Sequence, residues 1–290
     1  MFWNGQYRAA TIVYAAMAEA VENETSLEPA ERRRARAQIE VSRAICLRKC
    51  GDLRAAEEVL RRALHLASAD DYAQTEALVV LSSIHSDEAL ISLAKAESEQ
   101  AVCMAQAEGS DRLLAFAWTA KASCLFHSAR LDEAAELYTR AIESATRTGD
   151  NNLQSNIQGN LGTCLLDLGH PSAALRRYAS AVDLARKHGD RAGEAIWQIE
   201  FGRTALLLDE PDEAERRAAA ALRIARANDN PFTVFCGVWL QYRIAQRRTP
   251  HKPDRQRIAH LKRLYARVAY RRSADVVREF RREILGIADA

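Results

Sequence analysis

Small residues recur along this chain at intervals close to forty. One alanine series runs Ala10, Ala56, Ala94, Ala134, Ala174, Ala214, in steps of 46, 38, 40, 40 and 40 residues. Seven positions later runs a second series, Ala63, Ala101, Ala141, Ala181, Ala221, with Met17 in the first unit. Between the two a larger residue often stands, as at Tyr14, Leu60, Tyr138 and Tyr178. Upstream of both lies a further series, Ala44, Ser82, Ala122, Gly162, Gly202. Four series in one register define an internal repeat. Each unit reads as two antiparallel helices: the small residues mark where two backbones approach closely, and the tyrosines and leucines fill the space beside them.

Turn chemistry agrees with that division. Within units the breaks fall at "KCGD" (49–52), "HSAR" (127–130), "LGHP" (168–171) and "LDEP" (208–211). Pro171 and Pro211 suit the first turn of a helix, where a missing N–H costs nothing. Between units stand "EGSD", "TGDN", "HGDR" and "ANDN". There a glycine or asparagine takes a left-handed cap and the following polar residue caps the next helix. The glycine-rich stretch "GNLGTCLLDLGHPSAAL" (159–175) is therefore punctuation and not a phosphate loop. Gly159 and Gly162 are expected inside a helix as contact points, with Gly169 ending it. No strand precedes these glycines and no GxxxxGK[ST] occurs.

"NLGTCLLDLGHPSAALRRYASAVDLARKHGD" (160–190) resembles the tetratricopeptide repeat, in the longer variety with units near forty residues found in cell-polarity adaptors and in the sensor arms of bacterial regulators. The resemblance covers about residues 1–248. It weakens in the third unit, where "SSIHSDEALISLAKAESEQA" lacks the glycine turn and places Ser98 at the bulky position. It implies an all-α fold, a right-handed α-solenoid of about six two-helix repeats over 1–248, with a helical cap over 249–290. It also implies partner binding along an inner groove lined by the first helix of each unit.

Composition narrows the class without changing it. The 290 residues are 48% hydrophobic and 28% charged, with only 12 glycines and 6 prolines, a balance that favours a soluble helical chain. The uncharged run Asn230 to Tyr242 is too short to cross a bilayer. Glu19 and Glu22 break any secretory signal pattern, so a cytoplasmic location is expected. Among the cysteines, Cys46, Cys124 and Cys164 share one inward-facing repeat position and read as small hydrophobes. Cys46 and Cys50 lie one turn apart with no second pair to complete a metal set.

The two ends are irregular. "WNGQYRAATIVYAAMAEA" aligns with a turn and a second helix, leaving only Met1 to Asn4 for a first helix. Such a unit leaves an apolar face uncovered. Either the chain is cut from a longer protein, or a partner or second copy covers that face with Phe2, Trp3 and Tyr7 contributing, or these residues fold back over their own end. At the other end, Arg243 to Arg282 carry 14 basic and 3 acidic residues. Helices are expected around 254–271 and 273–285, the first packing Ile258, Leu261, Leu264, Tyr265 and Val268 on the last repeat. Arg263, Arg267, Arg271 and Arg272 form either a solvated outer face or a patch for nucleic acid, acidic lipid or an acidic protein.

On the groove geometry that the resemblance implies, one line runs Ser83, Ser123, Thr163, Arg203, Arg243, and four residues earlier Val79, Thr119, Gly159, Ile199, Trp239. Flanking lines contribute Phe126 and, further upstream, Phe116 and Asn156. The middle of the floor is small and hydroxylated, offering donors to a peptide. Its C-terminal part joins two arginines to Ile199 and Trp239, a surface suited to a segment with apolar side chains and an acidic group. The other reading pairs Arg203 and Arg243 with neighbours such as Glu200 or Asp229. No HExxH or GxSxG motif occurs, and Asp132–Glu133 and Asp212–Glu213 sit in first helical turns where they complement the helix dipole. His85 and His127 fall near the groove and read as hydrogen-bonding surface residues. The expectation is a non-catalytic interaction module without metal or cofactor, with a sensor arm of a larger regulator and nucleic-acid binding through the cap as alternatives.

Overall fold

The structure is a computed structural model that describes all residues except 1, 68–71, 229, 250–253, 269–274 and 288–290; for 2–6, 87 and 275 the backbone alone is described. The described residues form fourteen α-helices and one π-helical turn, and no strand. The chain divides into two compact units, Trp3–Ile157 and one centred on Gln158–Ala290.

In the first unit the helices are α1 (Phe2–Glu22), α2 (Pro29–Cys50), α3 (Leu53–Leu66), α4 (Tyr72–Asp87), α5 (Ile91–Glu108), α6 (Asp111–His127) and α7 (Leu131–Thr148), with the start of α8 (Asn151–Asp167). α2 packs on α3, α4 on α5 and α6 on α7, and successive first helices α2, α4 and α6 also touch in order. In the second unit the end of α8 is followed by α9 (Pro171–His188), α10 (Arg191–Leu207), α11 (Pro211–Ala227), α12 (Pro231–Arg248), α13 (Arg255–Val268) and α14 (Asp275–Phe280), which runs into the π-helical turn Arg281–Leu285. Here α10 packs on α9, α11 and α12, and α13 lies along α12 as a second helix would. Both units have adjacent helix pairs stacked as repeats, the arrangement of an α-solenoid.

The small-residue series lie at the helix contacts. Ala56, Ala94, Ala134, Ala174 and Ala214 are fully buried, as are Ala63, Ala101, Ala141, Ala181 and Ala221. So are the larger Leu60, Tyr138 and Tyr178, and Ser98 in the third unit. Glycines mark the closest approaches. A methyl on Gly162 would lie 2.8 Å from the Tyr178 ring, one on Gly202 2.8 Å from Leu240, and one on Gly159 would overlap the Trp197 indole. Cys46, Cys124 and Cys164 are buried at the position their register assigns.

The five within-unit turns between α2 and α11 pass through the left-handed region. Gly51 and Gly169 have φ of 84° and 80°, while Ala89, Ala129 and Asp209 adopt 61°, 58° and 62°. The third unit therefore turns without a glycine, at a steric cost carried by Ala89. Between units Gly109, Gly149 and Gly189 are left-handed, and Ser110, Asp150, Asp190 and Asn230 cap the helices that follow. Asn228 itself has a φ of −101° and is not left-handed, and residue 229 lies outside the described residues.

One further expectation is corrected. The N-terminal segment is one unbroken helix from Phe2, with no turn at Asn4–Gly5. On α1 only Ala18 is buried among the described side chains, while Ile12, Val13 and Met17 are exposed and Tyr7 is half-buried. The side chains of Phe2 and Trp3 lie outside the described residues. At the C-terminus the first cap helix is described over Arg255–Val268, with Leu261, Leu264 and Val268 buried against the last repeat, and 269–274 lie outside the described residues.

Two substitutions test this packing. Alanine at Gly159 must displace a buried ring, a cost of about 3 kcal/mol, against roughly 1 kcal/mol regained in helix propensity. Chemical denaturation of Gly159→Ala should show a loss of about 2 kcal/mol by that difference. Ala129→Gly relieves a left-handed alanine and should raise stability by about 0.5–1 kcal/mol once glycine's larger unfolded-state entropy is deducted.

Candidate functional site

The candidate residues fall on the first helices of the pairs, and each unit carries its own set. In the first unit Phe116, Thr119, Ser123 and Phe126 lie on α6 and Asn156 on α8. Phe116 is half-buried beneath the Arg112 guanidinium, 5.5 Å from the ring centre, and Phe126 is half-buried with its ring edge-on to His127. Asn156 is exposed and donates to the Asn152 carbonyl at 3.0 Å. The floor hydroxyls are already engaged. Thr119 Oγ1 donates to the Ala115 carbonyl, and Ser123 Oγ shares a hydrogen bond of 3.1 Å with Tyr138 on the paired helix α7.

Thr163, in the second unit, repeats the arrangement with Tyr178 Oη, also at 3.1 Å. Burial pushes the Tyr178 phenol well above its ordinary pKa, so it stays protonated and available to this bond. The hydroxyl line therefore ties each first helix to its own partner instead of presenting free donors. Where the tyrosine is absent the line changes: Ser83, facing the Ser98 unit, donates to the Val79 carbonyl on its own helix. Ala218 replaces the tyrosine on α11, and there the line carries Arg203.

Arg203 and Arg243 are brought together with Trp239 by α10 and α12, and the element that joins them is α14. Glu279 uses both carboxylate oxygens: Arg203 Nη2 donates to one at 3.3 Å, and the Trp239 indole N–H donates to the other at 3.2 Å. Arg243 donates to Glu283 at 2.8 Å and lies 3.9 Å from Glu279. Arg203 also pairs with Glu200 at 3.2 Å, as local sequence suggested, whereas Asp229 lies outside the described residues. Phe280 is fully buried in an aromatic box, edge-on to Phe235 and Trp239 at 5.3 and 5.6 Å and tilted against Tyr265 at 5.4 Å. Ile199 and Trp239 are buried, at 3% and 2% exposure, so neither is an open surface while α14 is docked.

Sequence reasoning missed Glu279, Phe280 and Glu283. A signal for them exists. Glu279 stands forty residues after Trp239, and Glu283 forty after Arg243, so both continue the repeat register into the cap.

Of the cap arginines, Arg263 and Arg267 are exposed on α13, and Arg271 and Arg272 lie outside the described residues. His85 is buried instead of exposed. Its ring nitrogens face Glu97 at 2.7 Å and Glu57 at 3.4 Å, and burial raises the pKa of Glu97 against the opposing pull of His85. Glu133 and Glu213, in first helical turns, pair with Arg130 and Arg217 at 2.6 Å and serve local structure. Among the described residues no group of three His, Cys, Asp or Glu side chains is arranged to hold a metal ion, and no helix is long and apolar enough to cross a membrane.

Stacked helix pairs with small residues at the contacts define a helical repeat protein. Residues 113–187 match the model of the Tetratricopeptide repeat family. Solved structures share the fold. A Rap protein complexed with Competence and Sporulation Factor is 13% identical, with 98% of this chain and 83% of that one covered at a TM-score of 0.67. BtubC (BKLC) from P. vanneervenii is 19% identical, with 77% and 92% covered at 0.59. PilF of Pseudomonas aeruginosa is 20% identical, with 86% and 99% covered at 0.54. No curated protein sequence matches the chain.

The tyrosine ties are testable. Tyr178→Phe removes one partner of a buried hydrogen bond while Thr163 keeps its contact to the Gly159 carbonyl. Thermal or denaturant unfolding should therefore show a loss of about 1 kcal/mol with the helical signal unchanged.

Proposed function

We propose that this chain is a non-catalytic protein-interaction module of the cytoplasm, a scaffold or adaptor that holds a segment of a protein partner against the faces of its first helices. The observation that carries this reading is the division of labour within each pair. The small residues and tyrosines of the second helices are consumed in packing, while Phe116, Phe126 and Asn156 on the first helices remain half-buried or exposed. Half-exposed aromatics beside polar groups are the composition of a recognition surface. The Rap neighbour, solved with Competence and Sporulation Factor, uses the same fold to bind a factor. Six free cysteines suit a reducing compartment.

The test is affinity capture from native lysate, with the wild-type chain beside Phe116→Glu/Asn156→Arg and with nuclease treatment in both arms. A protein retained by the wild type and lost by the variant is the expected result. Identical retention by both chains overturns the assignment to this face. Loss on nuclease treatment alone transfers function to the basic residues Arg263, Arg267, Arg271 and Arg272.

A further inference from the structure

Resting on that reading, we propose that the face formed by Arg203, Trp239 and Arg243 is a docking site for an amphipathic helix, one that presents a buried aromatic residue with a glutamate immediately before it and another three residues after it. Segment 275–285 of this chain is its resident occupant, and a partner helix of the same chemistry displaces it.

The occupant reveals what the site selects. Its acidic groups and its apolar groups share the docked face. Val276, Val277 and Phe280 are buried, and Glu279 and Glu283 meet the two arginines. Arg278 and Arg282 lie on the exposed face. This sorting matters because the surrounding stretch is strongly basic, with 14 basic residues against 3 acidic ones from Arg243 to Arg282. A helix approaching such a surface gains from carboxylates only where they reach the guanidinium groups. Glu279 is the most constrained contact, since its two oxygens are taken by donors on two different helices, α10 and α12. Replacing it with glutamine removes the charge and leaves a single oxygen for two donors on different helices. Phe280 supplies the anchor, fully desolvated among Phe235, Trp239 and Tyr265.

The hold on the resident segment comes from these contacts and from its tether. Six α-helical residues followed by a π-helical turn have no stability of their own. The ion pairs are about one-third exposed on both sides, so each adds little. Attachment to α13 gives the segment an effective concentration on the order of millimolar. A free helix with the same anchors therefore meets a site that is occupied but loosely held, and weakening the resident opens it.

The experiment titrates a fluorescein-labelled synthetic peptide of residues 275–287 into full-length chains and reads fluorescence anisotropy. Binding to Glu279→Gln/Phe280→Ala/Glu283→Gln should be at least about tenfold tighter than to the wild type, because the resident no longer competes. A peptide lacking the phenylalanine should not bind that variant. The chain Arg203→Glu/Arg243→Glu keeps Phe280 in place of the first variant should that one lose its helical circular dichroism. It should reject the native peptide and bind one in which both glutamates are arginine. Equal binding to all chains, or binding to none, overturns the proposal. Neither result touches Phe116 or Asn156, so a partner still captured through those residues would leave the interaction-module reading standing while this docking assignment fell.

Discussion

The structure depends on how closely two helix backbones can approach. At each contact the residue is alanine, serine or glycine, and several sites have no room for one more carbon. Gly162 faces the Tyr178 ring and Gly202 faces Leu240, each within 3 Å of where a methyl would sit. Interiors packed at that density do not deform continuously, so spacing between neighbouring helices is fixed by composition at a few positions per unit. Larger side chains then fall into the remaining space in register. The left-handed turns serve the same end, and Ala89, Ala129 and Asp209 hold that conformation without the freedom glycine would give.

The proposed function follows from which helix of each pair is spent on this packing. The second helices contribute the alanine series and the buried tyrosines. A hydroxyl on the first helix binds the tyrosine, as at Ser123 with Tyr138 and Thr163 with Tyr178. Where the second helix offers Ala218 in place of a tyrosine, the same line is released from that duty and carries Arg203. One structural position thus changes from an internal tie to a charged group paired with Glu200 and Glu279, alongside a substitution on its neighbour.

Much of this was legible in the sequence. The forty-residue spacing of small residues gives the helix pairs, their turns and their inward faces, because steric exclusion leaves a mark at every unit. Other features leave none. Nothing local in "WNGQYRAATI" distinguishes a turn from the continuous helix α1, since Asn4 and Gly5 are tolerated in both. The burial of His85 depends on Glu57 and Glu97 from two other helices, which spacing alone does not bring together. Arg203, Trp239 and Arg243 were singled out as a surface for apolar and acidic groups. Such groups do sit there, and they belong to the chain's own α14. The residues that fill it were obscured by the surrounding arginines, although Glu279 and Glu283 keep the forty-residue register with Trp239 and Arg243.

On the proposed reading, the C-terminal segment describes what the face of Arg203, Trp239 and Arg243 recognises. Its docking rests on a carboxylate shared by two helices, a second glutamate on Arg243 and one aromatic anchor. Amide hydrogen exchange across the chain, compared between the wild type and Glu279→Gln/Phe280→Ala/Glu283→Gln, measures that dependence directly. The account predicts that residues 275–285 lose protection while α10 and α12 keep theirs. Unchanged protection in that segment, or loss spread through the whole Gln158–Ala290 unit, would contradict it.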